Sequence, residues 1–247
     1  MTSRRSGSQF PVISLILSLL GLFLLPLILL NPPPPIVVLP LQIQLIGIAF
    51  MIICTLGVIA GISPSHCSLT RKKKIQSHKE SPAQTNSTQT ISIRKEGHHP
   101  TCDHYSGHII TIKGSRYCAG CSGLVTGAII AIIGTILFFF LSFPIFYPEA
   151  TFWLGFVFVT VGLLQHPLYQ ILKLNRGIIR FIINILFVVG SYLLLASLMQ
   201  LTNSLILAVY LLLLILYWIF TRIVMSRRSH HLICSLCNRP ECPYIEA

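Results

Sequence analysis

Residues 10–30 read FPVISLILSLLGLFLLPLILL, an uninterrupted apolar run of the length that a membrane-spanning helix needs. A cleaved signal peptide has a shorter apolar region, of about 7–15 residues, and ends at a small-residue cleavage site. Here the run is followed by Asn31 and by prolines at 32–35, which cannot continue a helix. The stretch therefore predicts a retained first membrane span that ends in a stiff, extended turn.

Further apolar blocks of similar length follow along the chain. They cover residues 41–62, 121–140, 151–172, 178–199 and 204–224. The chain is 53% hydrophobic and 10% charged, with a mean hydropathy of +0.78, whereas soluble domains carry about 25% charged residues. The predicted fold class is an all-α membrane protein, a six-span helical bundle.

The basic residues indicate how these spans are oriented. All 18 Lys and Arg fall in segments 1–9, 63–120, 173–180 and 222–247. Cytosolic loops of membrane proteins are enriched in Lys and Arg, so we expect these segments, and both termini, in the cytosol of a multi-pass cell-membrane protein. The same rule accounts for the net charge of +12. The lipid bilayer is then the expected partner, and nucleic acid is not.

The composition divides the chain into five parts. The predicted parts are a transmembrane hairpin (1–62), a basic, disordered cytosolic linker (63–96), a Cys/His module (97–122), a four-span bundle (123–224) and a cytosolic Cys/His tail (225–247). The two segments rich in Cys and His thus fall on the same predicted side of the membrane.

The first Cys/His segment has the pattern of a small zinc module. Residues 109–112 predict a strand, 113–115 a turn and 116–117 a return strand, so a short hairpin leads into Cys118 and Cys121 before the third span. Zinc takes four N or S ligands, a CxxC turn supplies two thiolates to one ion, and disulfides are rare in the cytosol. The positive end of the third helix would help to hold the thiolate charge. The predicted ligands are Cys102, His104, Cys118 and Cys121, with His98, His99 and His108 as alternatives to His104.

The tail predicts a second metal site of the same kind. Its expected ligands are His231, Cys234, Cys237 and Cys242, a closed Cys₃His set. One cluster could instead complete the other, but we favour separate sites and so expect one or two zinc ions. Cys54 lies within the second span and is expected to serve packing alone.

Small and polar residues distinguish some of the spans. Gly123 and Gly127 form a GxxxG pair that Ala131 and Gly134 extend, which predicts a central position for the third span. Among the later spans the few polar side chains noted are Gln165, His166 and Asn184. No span carries an acidic residue, so a proton or ion relay built from carboxylates is disfavoured.

The stretch from residue 102 to 127 resembles a family of uncharacterised prokaryotic membrane proteins, domain of unknown function 2085. The family pattern is an early cysteine and histidine, a basic residue, a Cys-x-x-Cys-x-Gly and a glycine-rich span. The matching residues are Cys102, His104 or His108, Arg116, Cys118, Cys121, Gly123 and Gly127. The resemblance leaves out the first two spans and the cysteine tail, and it implies no reaction.

These patterns favour a non-enzymatic membrane protein whose cytosolic zinc modules are structural or recruit a cytosolic protein. The first alternative is a membrane thiol–disulfide oxidoreductase that uses Cys118 and Cys121 as a redox pair. The second is a metal transporter or sensor, which would need polar ligands inside the bundle.

Overall fold

The structure is a computed structural model that describes residues 6–31, 39–62, 107–112, 115–172 and 176–237. Within these ranges, the side chains at 6–8, 112, 115–116, 170–172 and 234–237 are not described. The predicted linker at 63–96 therefore lies outside the described residues, as do the first part of the Cys/His module and the end of the tail.

The described ranges form seven α-helices and one β-hairpin. They are α1 (Ser6–Leu30), α2 (Pro40–Ile62), β1 (Ile109–Ile112), β2 (Ser115–Cys118), α3 (Ala119–Thr135), α4 (Pro148–Leu163), α5 (Gln165–Leu172), α6 (Gly177–Thr202) and α7 (Leu205–Cys237). One turn of π-helix, Ile136–Phe140, continues α3. The expected hairpin before the third span is thus present.

Five of these helices, α1, α2, α3 with its π-helical turn, α6 and α7, are long and apolar enough to cross a membrane. The helical membrane fold expected from the sequence is confirmed at this level. The remaining apolar helix, α4, has 16 residues and is about 24 Å long, which is short of the roughly 30 Å hydrocarbon core.

The fourth apolar block differs from the prediction, because a single helix over 151–172 is wrong. The chain leaves the helix after Leu163 and begins the short helix α5 at Gln165. Pro167 explains the break: it lacks an N–H for the carbonyl of Leu163, and its ring clashes with that carbonyl in a continuous helix. The eight residues of α5 lie outside the candidate spans.

The last helix also differs, because the expected boundary between the sixth span and the tail falls inside it. The helix α7 continues without interruption to Cys237, well past residue 224. Positions 231, 234 and 237 therefore follow one another at three-residue spacing along a helix, which keeps them on one side of it.

Helices α1 and α7 pack antiparallel. The hydroxyls of Ser14 and Thr221 lie 2.6 Å apart, and the indole N–H of Trp218 donates to the Ser18 carbonyl at 3.1 Å. Helices α2 and α3 are antiparallel as well, since a Cβ at Gly47 would meet Phe139 and a Cβ at Gly61 would meet Val125.

Helix α6 is the centre of the bundle. In the most apolar part of α6, 61% of the residues are buried, against 33% for α3 and 22% for α2. The sequence predicts a central position for the third apolar block, α3, but the fifth block, α6, occupies it. The small residues of α3 provide the contact: Gly123 and Gly127 lie against the α6 backbone at Phe181 and Ile185. In this pair the two helices run parallel.

Helix α4 packs on the opposite side of α6 and runs antiparallel to it. A Cβ at Gly155 would lie 2.9 Å from the Gly190 carbonyl oxygen, and one at Gly162 would lie 2.7 Å from Phe187 Cβ. Glycine thus permits close approach on both faces of α6.

These directions give the bundle two distinct ends. One end gathers the start of α1, the end of α2, the hairpin, α5, the start of α6 and the second half of α7; we call it the Arg-rich end. The arginine side chains that the structure describes lie there: Arg176, Arg180, Arg222, Arg227 and Arg228. At the opposite end, the amide of Gln200 makes two hydrogen bonds with the backbone of Ile145.

The β-hairpin is held against the start of α6. Its antiparallel register pairs Ile109 with Cys118 and Ile110 with Tyr117. A Cβ at Gly177 would collide with the carbonyl oxygen of Ile109, so only glycine lets β1 lie this close to the first turn of α6. The hairpin is therefore fixed relative to the helices that follow it.

Substituting Gly123 tests the contact between α3 and α6. Gly123→Ala would place a methyl group against the Phe181 carbonyl and 2.9 Å from Asn184 Cβ. We expect a loss of about 1–3 kcal/mol in the free energy of unfolding, measured by denaturation in mixed micelles. Gly57→Ala is the matched control, because its nearest neighbour, Leu124, would lie 4.0 Å away. An equal loss in both variants would contradict the assigned contact.

Candidate functional site

The two cysteines of the CxxC pair lie where the hairpin becomes a helix. Cys118 is the last residue of β2 and the N-cap of α3, and Cys121 follows in the first turn. Both side chains are half-buried. A methyl group at Gly120 would lie 4.0 Å from Cys118 Sγ and 3.9 Å from Asn184 Nδ2, so Gly120 lies between the thiol and the α6 amide.

Two histidines from distant parts of the chain meet beside this pair. His108 is buried directly before β1, whose first residue, Ile109, pairs with Cys118. Its ring and that of His230 on α7 are 5.6 Å apart, nearly perpendicular. The Nη1 of Arg180 lies 3.4 Å from His108 Nδ1, a contact that requires Nδ1 to accept. The hairpin, α6 and α7 thus converge here.

The predicted metal ligands are only partly placed. Cys102, His104 and Cys242 lie outside the described residues, as do the side chains of Cys234 and Cys237; His231 is exposed on α7. Among the described side chains, no three of His, Cys, Asp or Glu come together in a group that could hold a metal ion. Both predicted zinc sites, and the alternative use of His98 or His99, stay predictions.

Arg222 is the most heavily engaged polar side chain at this end. Its Nη2 donates to Gln165 Oε1 at 2.5 Å and to Asn184 Oδ1 at 2.6 Å. The guanidinium lies over the ring of Phe187, 4.2 Å from its centroid. Its Nη1 is buried and has no hydrogen-bond partner among the described residues. The cation is held by neutral amides and an aromatic face.

Arg180 has a similar environment. Its guanidinium lies 4.4 Å from the ring centroid of Tyr169, and it is close enough to Cys118 to interact electrostatically. Asn184 Nδ2 donates to the Arg180 carbonyl at 2.6 Å, so one amide contacts both arginines. Within the described ranges the buried Arg180 Nε has no hydrogen-bond partner.

Two ionisable side chains of α5 lie beside these cations in their neutral forms. Burial first, and then the charges of Arg222, Arg180 and His230, lower the pKa of His166 to about 3. Burial raises the pKa of Tyr169 to about 12, although Arg180, Arg222 and the nearby Gln165 side chain oppose the shift. At pH 7 the imidazole is therefore uncharged and the phenol retains its proton.

The cluster formed by Gln165, His166, Tyr169, Arg180, Asn184 and Arg222 has an excess of positive charge. We call it the Arg180/Arg222 cluster. Glu149, the acidic side chain within the described ranges, is in the first turn of α4 at the opposite end of the bundle. Hydrogen-bond donors and two fixed cations without a described counter-charge make this a place suited to an anion.

The sequence predicts part of this cluster but not its cations. Gln165, His166 and Asn184 stand out as polar side chains within apolar blocks, whereas the sequence places Arg180 and Arg222 among the positively charged flanks of the spans. The available signal was their position, since both fall inside the apolar blocks 178–199 and 204–224. Arginine within an apolar block commonly faces the bundle interior, as observed here.

No family model matches the chain, and no curated protein and no solved structure matches it either. The resemblance to domain of unknown function 2085 therefore stays a prediction that rests on the motif around Cys118.

Replacing Tyr169 separates the roles of its ring and its hydroxyl. The hydroxyl is buried without a hydrogen-bond partner among the described residues, so Tyr169→Phe should leave the free energy of unfolding unchanged or raise it by about 1 kcal/mol. Tyr169→Leu removes the aromatic ring that lies against Arg180 and should lower the free energy of unfolding by about 1–2 kcal/mol. The measurement is denaturation in phosphate-free buffer. Equal destabilisation by both substitutions would mean that the hydroxyl has a partner.

Proposed function

We propose that this chain is a six-span membrane protein whose Arg-rich end faces the cytosol and carries zinc-binding Cys/His modules, with a structural or partner-recruiting role. The observation that carries the proposal is the frame around Cys118 and Cys121. A hairpin docked on α6 and the N-terminus of α3 hold two thiols in place at the end of the bundle.

The helix directions support six crossings. Helices α1 and α7, α2 and α3, and α4 and α6 pack antiparallel, whereas α3 and α6 pack parallel. These relative directions result if successive helices cross the membrane in alternating directions and α4 is the fourth helix to cross. Packing along α6 would compensate for the short length of α4, since a thinner local bilayer accommodates a short span at modest cost.

Chain length supports the predicted ligand set of the first zinc site. His104 and Cys102 precede His108 by four and six residues, and a chain extends at most about 3.6 Å per residue. His108 itself directly precedes Ile109, which pairs with Cys118 in the hairpin. The tetrahedral Cys₃His set needs only that this segment folds back towards the thiols.

Cysteine labelling tests the proposed orientation. Phe146 is 88% exposed in the turn at the opposite end of the bundle, and Arg227 is exposed at the Arg-rich end. In intact cells a membrane-impermeant maleimide should label Phe146→Cys and leave Arg227→Cys unlabelled, and both should react after permeabilisation. The opposite pattern would place the Arg-rich end outside and refute the cytosolic assignment.

Elemental analysis tests the zinc assignment. Purified full-length protein should carry one or two zinc ions, and the Cys118→Ser/Cys121→Ser double variant should lose one of them because it lacks two thiolate ligands. Cys54→Ala is the matched control, because Cys54 is a buried thiol within α2 and should not affect the metal content. Metal-free wild-type protein with freely titratable thiols would contradict the proposal.

A thiol–disulfide oxidoreductase is the second candidate. It is favoured by the position of Cys118 at a helix N-terminus and in electrostatic reach of Arg180, surroundings that are typical of reactive thiols. This function predicts zinc-free protein with a reversible Cys118–Cys121 disulfide, so the same preparation distinguishes the two candidates.

A further inference from the structure

We propose that Arg180 and Arg222 together bind a phosphate-type oxyanion at the Arg-rich end of the bundle. The ligand class is a phosphomonoester-type group, carried by a lipid headgroup or by a soluble phosphate. This proposal does not depend on zinc, and it goes beyond the proposed function.

The two guanidinium groups flank the same short helix. Arg222 bonds to Gln165 and Arg180 covers the ring of Tyr169, and these α5 residues are four positions apart. One helical turn separates such positions by about 6 Å along the axis. Asn184 ties the pair together, because its amide oxygen accepts from Arg222 and its amide nitrogen donates to the Arg180 backbone. Both guanidinium groups therefore lie against the same side of α5 and are linked through one amide side chain.

Buried donors remain available in the cluster. Arg222 Nη1, Arg180 Nε and the Tyr169 hydroxyl are buried and have no hydrogen-bond partner among the residues that the structure describes. A buried polar group without a partner costs about 1–3 kcal/mol, and more when it is charged. Side chains from three helices share this deficit, and an acceptor bound among them would relieve it at all three.

The charge of the cluster selects the ligand class. The cluster holds two permanent cations and a neutral imidazole, and the acidic residue in the described ranges, Glu149, is at the other end of the bundle. A phosphomonoester carries about −1.5 to −2 charges at pH 7 and presents several acceptor oxygens, whereas a carboxylate or chloride carries one charge. Arginine forks match phosphate oxygens in pairs, so two arginines favour phosphate over the smaller anions.

The depth of the cluster is compatible with both sources of phosphate. Arg180 is in the first turn of α6, and Arg222 lies on α7 beyond the hydrophobic stretch that packs against α1. Basic pockets between helices at this level bind lipid headgroups in other membrane proteins. The neighbouring hairpin is exposed in part, at Tyr117, and a soluble phosphate is therefore tested as the second source.

Trp218 provides a local signal for the binding test. It is fully buried on α7, one turn before Arg222. Full-length protein in neutral detergent is titrated with inorganic phosphate and with glycerol phosphate, against sodium chloride of equal ionic strength. In parallel, the protein is placed in phosphatidylcholine nanodiscs with and without phosphatidic acid, and bound lipid is identified by native mass spectrometry. The readouts are Trp fluorescence, the thermal midpoint and retained lipid.

Substitutions assign any binding to the cluster. Arg222→Gln and Arg180→Gln should each weaken the binding about tenfold or more, because each removes charge-assisted hydrogen bonds. Arg227→Gln is the matched control, since it removes the same charge from an exposed position on α7. If a glutamine variant fails to fold, Arg222→Lys and Arg180→Lys retain the charge without the fork and should still weaken binding.

The outcomes separate the sources of the ligand and decide the proposal. A soluble ligand is supported if free phosphate binds saturably and Arg222→Gln and Arg180→Gln weaken that binding. A lipid headgroup is supported if phosphatidic acid is retained selectively and the same two variants reduce its retention. Absence of wild-type binding in both arms would overturn the proposal, as would equal weakening by Arg227→Gln. Zinc content plays no part in these readouts.

Discussion

The close contact between α3 and α6 is the constraint on which the Arg-rich end depends. Gly123 lies against the Phe181 carbonyl, so the two backbones approach more closely than any larger residue would permit. This contact fixes the start of α3, and with it Cys118 and Cys121, relative to the first turns of α6. The hairpin is fixed in turn, because β1 lies against Gly177. Two glycines on different helices thus position the thiols, His108 and the arginines as one unit.

The arginines are stabilised without a described acidic partner, which is unusual for buried cations. Each guanidinium lies over an aromatic ring, at 4.2 Å for Arg222 and 4.4 Å for Arg180, and a desolvated contact of this kind contributes about 2 kcal/mol. Amide oxygens supply two further acceptors to Arg222. Together these interactions contribute several kcal/mol to Arg222, the same order as the cost of removing a cation from water. The described partners of the two cations are therefore aromatic faces and neutral amides.

The sequence predicted the elements of the fold that depend on composition. Apolar blocks identified each long helix, and the Ile-rich stretch before Cys118 identified the hairpin, because these signals are local in the chain. The fourth block was mistaken for one helix since hydropathy does not register the steric effect of Pro167. Arg180 and Arg222 were classed as flanking charges because only tertiary packing reveals which basic residues turn inward.

The candidate metal site could be predicted only as a set of ligand types. The spacing of Cys118 and Cys121 indicates a shared partner, and the hairpin register pairs Cys118 with Ile109, directly after His108. The approach of His230 was not predictable, because it depends on α7 extending far beyond the apolar block. The local sequence pattern therefore predicts which ligand types lie at this end, whereas their arrangement depends on packing between residues that are distant in the chain.

The pairing of α1 with α7 has a consequence for how the protein is made. Ser14 and Thr221 are 207 residues apart in the chain, and at ribosomal rates of about 5–20 residues per second their partnership must wait for roughly 10–40 s. During that interval α1 resides in the membrane with Ser14 and Ser18 facing lipid or an insertion factor instead of Thr221. Their hydroxyls can donate to carbonyls one turn back in their own helix, so they remain hydrogen-bonded until α7 is made. The pairing of α1 with α7 therefore forms late, and a ribosome that stops before Thr221 leaves Ser14 without this hydroxyl partner.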